Sequence, residues 1–218
     1  MLMPPSLLNP CRHELTLMLN LLLACAFVQI VADGWLWELI HRYQGIPLLK
    51  YFDALPSRLI LAYIFTSGML LFIVFRAARG SCLSADRGMF VLGCGAASGF
   101  AADVLKFVFG RSYPSSSAIS GFAGYQPFNS EVDLCAFPSA HAAIAAGLAG
   151  ALAIVWPSQR RIFILLGAVV AGSRFLTGLH YPSDVLLGFA TGLGIVVMLC
   201  IIFFEAGICL HEIDSDRR

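Results

Sequence analysis

Pro138-Ser-Ala-His-Ala-Ala-Ile-Ala-Ala-Gly-Leu-Ala-Gly-Ala-Leu-Ala-Ile-Val-Trp156 is apolar throughout, apart from Ser139 and His141 at its head. From Ser139 on it is long enough to cross a bilayer, which takes roughly 17–25 mostly apolar residues. In lipid such a segment has to be helical, because a lone strand would leave its backbone groups unpaired. Serine after proline at a helix start is a favoured N-cap. The N–H groups of that first turn, at the positive end of the helix dipole, make an anion site with His141 beside it. Taken alone, these residues are better explained as a capped helix start with an interfacial histidine.

Five further runs resemble it: Leu15–Ala32, Leu59–Phe75, Met89–Phe109, Ile162–Leu179 and Val185–Phe204. The chain is 59% hydrophobic and 12% charged over 218 residues, with a mean hydropathy of +0.82. A soluble domain would carry about 25% charged residues. The expected architecture is therefore an all-α, six-helix transmembrane bundle forming one domain over residues 1–218. Glycine and alanine crowd the last four spans, where small residues let helices approach closely. The first run, preceded by Arg12 and containing Ala24-Cys25-Ala26, could be a signal peptide, but its length favours an uncleaved anchor. The loop after it, Asp33 to Arg58, mixes Trp35, Trp37, Tyr43 and Tyr51 with charge, as an interfacial segment does.

A formal net charge of +1 offers no concentrated basic face for nucleic acid. The seven cysteines contain no C-x-x-C and most lie in apolar runs, so neither a disulfide framework nor a zinc site is expected. No carboxylate cluster stands out for a metal, and no cofactor is expected. The sequence carries no signal for oligomeric state.

With six spans, the loop 110–138 and the loop at about 175–184 emerge on one face by parity. The opposite face collects Arg12, Arg76, Arg79, Arg87, Arg160, Arg161, Arg217 and Arg218. The positive-inside rule then puts both termini in the cytoplasm and the two loops outside, as in a bacterial inner-membrane protein with a periplasmic site.

Those loops carry two more polar clusters. One is Lys106-Phe-Val-Phe-Gly-Arg111-Ser-Tyr113-Pro114; the other is Ser173-Arg174, His180 and Asp184. Gly178 is placed to end a helix and Pro182 to begin one. His180 then sits in a short turn, with Asp184 able to reach one imidazole nitrogen and leave the other as nucleophile or base. Lys106 and Arg174 could simply snorkel, and Asp103 could pair with Lys106 within its helix. Together, however, all these groups share one face, and ionisable residues at membrane depth are usually functional.

The three clusters resemble the signature of the type 2 phosphatidic acid phosphatase superfamily, whose core is shared with vanadium haloperoxidases. That pattern runs Lys, six residues, Arg-Pro; then Pro-Ser-Gly-His; then Ser-Arg, five residues, His, three residues, Asp. The third element matches at Ser173, Arg174, His180 and Asp184. The second has Ala140 for glycine, and the first has Tyr113 for arginine. The resemblance implies that His180, oriented by Asp184, attacks phosphorus to form a phosphohistidine, and that His141 protonates the leaving oxygen. It implies phosphate binding by Lys106, Arg174 and the Ser139–Ala140 backbone, without a metal. Arg111, two residues before Tyr113, is expected to replace the missing arginine in binding phosphate, with Tyr113 as the weaker donor. The implied function is hydrolysis of a lipid phosphate monoester or pyrophosphate, the lipid entering from the bilayer. Phosphatidic acid, phosphatidylglycerol phosphate, undecaprenyl pyrophosphate and lipid A phosphates are all candidate substrates. The alternatives are a lipid phosphotransferase and a non-catalytic protein with a vestigial site.

Overall fold

The structure, a computed structural model, describes residues 11–42, 83–120, 124–129, 131–206, 208 and 210. In chain order its helices are α1 Arg12–Val31, α2 Asp33–His41, α3 Leu83–Phe109, α4 Pro114–Ser120, α5 Ala140–Val155, α6 Arg160–Leu176 and α7 Pro182–Glu205. Single 3₁₀ turns form at Val132–Leu134 and Pro157–Gln159. Among the described residues the only β pairing is an isolated antiparallel bridge between Arg111 and Tyr125.

α5 is the axis of the bundle. It is apolar on every side, and such a helix belongs in an interior; 13 of its 16 residues are buried. α7 and α3 pack along it, α6 closes another side, and α1 lies against α7. Glycine sets the α5–α7 distance. A Cβ on Gly188 would fall 2.4 Å from the Ser139 carbonyl oxygen, and one on Gly192 would fall 2.2 Å from that of Ala143. Side chains there would push α7 away from the start of α5.

α1, the Ala85–Phe109 part of α3, and α7 are each long and apolar enough to cross a membrane. α5 and α6 have 16 and 17 residues, short of the ~20 that usually span. The expected span Leu59–Phe75 lies outside the described residues. α6 stops at Leu176 rather than running to Leu179, because Gly178 (φ 72°) turns the chain back toward the bundle. Ile162, Leu165, Leu166 and Val169 on α6, and Phe100, Val104 and Phe107 on α3, are exposed. An apolar belt of this size suits lipid and would be a liability in water.

The segment after α1, expected to be interfacial, begins as a helix that packs on the bundle. Asp33 opens α2 and is only 5% exposed. Trp37 donates Nε1–H to the Gly178 carbonyl (3.2 Å) and stands 6.3 Å, ring to ring, from Tyr181. α2 thus leans on the α6–α7 turn. Tyr43 and Tyr51 lie outside the described residues.

Candidate active site

The site is assembled where α7 begins. Tyr181 is the N-cap and Pro182 the first helical residue; the Asp184 Oδ2 carboxylate accepts the Tyr181 N–H at 2.9 Å. That bond holds the carboxylate at the helix start, where the dipole favours negative charge. The His180 N–H donates to the Arg174 carbonyl (3.2 Å), folding the turn inward so that His180 is only 5% exposed. His180 Nδ1 lies 3.3 Å from Asp184 Oδ2. Burial pushes the imidazole pKa below its ordinary value; Asp184 opposes the shift, while the Lys106 and Arg174 charges add to it. The ring is therefore neutral at physiological pH, with Nδ1–H facing the carboxylate and the Nε2 lone pair left over.

Lys106 sits in the last turn of α3 and Arg174 in the last turn of α6, each 3% exposed. Lys106 also makes the intrahelical contact with Asp103, at 3.7 Å. Both are too deeply buried for plain snorkelling.

The head of α5 is tied to α7 by the Ser139 N–H, which donates to the Asp184 carbonyl at 2.9 Å. Ser139 occupies the N-cap position, but its hydroxyl makes no cap bond. Fully buried, that hydroxyl has no hydrogen-bond partner among the described residues. Such a group costs free energy unless something meets it. Ala140 is buried beside it, and His141 follows, half-buried, in the first turn. Tyr113 lays its ring against His180, centroids 5.3 Å apart and tilted by 53°.

Arg111 is where the structure departs most from the sequence reading. Its guanidinium does not stand as an open fork awaiting phosphate. Nη1 donates to Asp184 Oδ1 and to Ser183 Oγ, both at 2.7 Å, and Nη2 donates to Asp33 Oδ2 at 2.8 Å. The Ser183 N–H donates to Asp33 Oδ1 (2.9 Å), and its hydroxyl donates to Asp33 Oδ2. Gly110 (φ 60°) makes the turn into this segment; a Cβ there would strike the Gln126 carbonyl. Burial opposes the charge of Arg111, yet Asp184, Tyr125 and Asp33 outweigh it and hold its pKa above the ordinary value. Asp33 escaped the sequence reading because no motif or short spacing links it to the clusters; Ser183 lies beside Asp184 in the third cluster, but nothing local marks it as a partner of Arg111.

Beside this network an apolar cavity of about 340 Å³ opens between α1, α3 and α7, lined by residues that include Leu22, Cys25, Phe109 and Leu187. Its lining also includes Tyr125 and Phe137, the rings over which the Arg111 guanidinium lies at 5.5 and 5.7 Å. Among the described residues no three His, Cys, Asp or Glu side chains converge as a metal site would require.

All three polar clusters fall within residues 87–208, which match the PAP2 superfamily. The chain belongs to that superfamily. A lipid A 1-phosphatase of Rhizobium johnstonii is 32% identical over 111 residues, covering 51% of this chain and 46% of that protein. The lipid A 1-phosphatase of Rhizobium etli is 31% identical over 111 residues, covering 51% and 48% respectively. The aligned region is thus about half the length of these curated relatives. The crystal structure of a transmembrane PAP2-type phosphatidylglycerolphosphate phosphatase from Bacillus subtilis superposes with a TM-score of 0.55 at 23% identity. It covers 94% of this chain and 98% of that one, a likeness of fold.

Proposed function

We propose that this protein hydrolyses a phosphate monoester or pyrophosphate on a membrane lipid through a phosphohistidine. The observation that carries the reading is the buried, neutral His180, with a carboxylate on Nδ1 and two buried cations close by. The His180 Nε2 lone pair attacks phosphorus, and the bond to the lipid oxygen breaks. The departing oxygen takes its proton from His141. Lys106, Arg174 and the backbone N–H groups at the head of α5 stabilise the equatorial oxygens, whose charge grows in the transition state. The Ser139 hydroxyl and Tyr113 supply further donors. Water, losing a proton to His141, then attacks phosphorus; the P–N bond breaks and its electrons return to Nε2, releasing inorganic phosphate. No step requires a metal.

The lipid reaches the site laterally, an acyl chain resting in the apolar cavity beside Tyr125 while the phosphate enters the polar end. The chain acts as one domain, with termini cytoplasmic and site on the outer face. The names of the relatives make lipid A 1-phosphate and phosphatidylglycerol phosphate the first substrates to try. Purified protein is expected to release inorganic phosphate from at least one member of a lipid-phosphate panel, undiminished by chelator. A phosphorylated acceptor lipid in place of free phosphate would make it a phosphotransferase. No turnover of any member would leave the vestigial-site reading standing.

Orientation has its own test. Ser116 lies in α4, partly exposed, on the loop face. In a cysteine-free background, Ser116→Cys is expected to react with an impermeant thiol reagent added to intact cells. Labelling only after the membrane is broken would invert the topology.

A further inference from the structure

We infer that Asp33 and Arg111, joined through Ser183, form a charged clamp behind Asp184 that positions the carboxylate and sets the proton affinity of the His180–Asp184 pair. The inference rests on His180 acting as the nucleophile. It makes both residues positioning residues and takes Arg111 out of the phosphate site.

Geometry is the first ground. Both terminal nitrogens of Arg111 are spent on protein acceptors, and two of those acceptors are carboxylate oxygens at 2.8 and 2.7 Å. A planar guanidinium with its nitrogens so committed cannot turn a fork toward a phosphate without abandoning buried charge. Aromatic rings hold it in place. Its central carbon lies 4.2 Å from the Tyr181 ring centroid, with Tyr125 and Phe137 further out. Three separate parts of the chain close the network: the start of α2, the segment after α3 and the start of α7.

Charge is the second ground. Without Arg111, Asp33 and Asp184 would face each other across Ser183 in a buried space, where two carboxylates do not both ionise readily. With it, each carboxylate has a guanidinium nitrogen within 2.8 Å, so the charge that Asp184 presents to His180 is offset from behind. The other charged and titratable groups around the pair are Lys106 from α3 and Arg174 from α6, facing His180, together with Tyr113, whose ring lies against His180, and Tyr181, whose ring lies against Arg111. Tyr125, its hydroxyl pKa pushed up to about 12 chiefly by burial, faces Arg111, and Cys25 from α1 faces Asp33 and Asp184. Asp33 and Arg111 form the ion pair that stands behind Asp184.

The test uses full-length protein in detergent and pH profiles of kcat/KM on whichever lipid phosphate the wild type cleaves. Removing the cation in Arg111→Met makes any proton on the cluster bind more tightly, so the acid limb moves to higher pH. Removing the anion in Asp33→Asn moves it to lower pH. The double variant restores the net charge, and its limb is expected to return toward wild type. Arg111→Met is expected to lose roughly tenfold to a hundredfold in kcat, the range that loss of one charge-assisted hydrogen bond to Asp184 would give. Inhibition by inorganic phosphate should change less than about threefold, since no direct phosphate contact is lost. Arg111→Lys serves if Arg111→Met does not fold; it keeps the charge and should leave the acid limb in place. His180→Ala, run alongside, tests the nucleophile separately. Phosphate inhibition weakened tenfold or more in either Arg111 variant, with an unmoved acid limb, would return Arg111 to the phosphate site and overturn the inference. So would single-variant losses that simply multiply in the double variant.

Discussion

His180→Ala is expected to abolish phosphate release, a loss of about 10⁴-fold or more, as when any covalent nucleophile is removed. No other described side chain combines its burial, its Nδ1 contact with a carboxylate and its neighbouring cations. Asp184→Asn should cost roughly 10²–10⁴-fold, because an amide holds the imidazole tautomer poorly. It also takes away the charge that Arg111 is paired with. The two variants differ in what survives. Asp184 raises the proton affinity of His180 against the larger effect of burial. Without its charge the ring becomes harder to protonate, and the residual activity of Asp184→Asn should extend to lower pH. Rapid quenching of wild type with substrate should trap an acid-labile phosphoimidazole that His180→Ala cannot form. Measurable turnover by His180→Ala would end the phosphohistidine assignment.

Arg174→Gln is expected to be the most damaging change among the residues proposed to bind phosphate. The guanidinium is buried at the end of α6, and hydrogen bonds to charged groups contribute about 1.5–3 kcal/mol each. Losing two such bonds to the transferring phosphoryl group would slow the reaction by roughly 10²–10⁴-fold. Inhibition by inorganic phosphate should weaken with it, if Arg174 meets the anion directly as proposed. The sign of the pH effect is opposite to that of Asp184→Asn. Arg174 depresses the His180 pKa, so its removal lets the ring protonate more readily and moves the acid limb of kcat/KM to higher pH. Kinetic profiles of the two variants side by side check both signs. Unweakened phosphate inhibition in Arg174→Gln would show that this cation serves the fold and not the anion.

The parts of this site legible in the sequence are those whose geometry is local. Asp184 follows His180 at a distance a single capped turn spans. Gly178 and Pro182 announce that turn, because one can take a positive φ and the other needs no N–H partner. The apolar runs were equally plain, since a bilayer imposes length and composition on any segment that crosses it. Even the burial of α5 could be anticipated from a helix with no polar face.

Arg111 shows where such reading stops. Its neighbours in sequence place it beside Tyr113, and an extended segment puts residues two apart on one face. Only the folded chain brings in Asp33, 78 residues earlier, and Ser183, 72 residues later. A buried guanidinium goes to the carboxylates that can neutralise it, and where those stand depends on how α1, α2 and α7 pack. Likewise, nothing in Gly188 by itself says that it faces the Ser139 carbonyl and so fixes the head of α5 against Asp184. Spacing along one helix is written in the chain; which helix presents which residue to which charge is settled only by close packing among helices far apart in sequence.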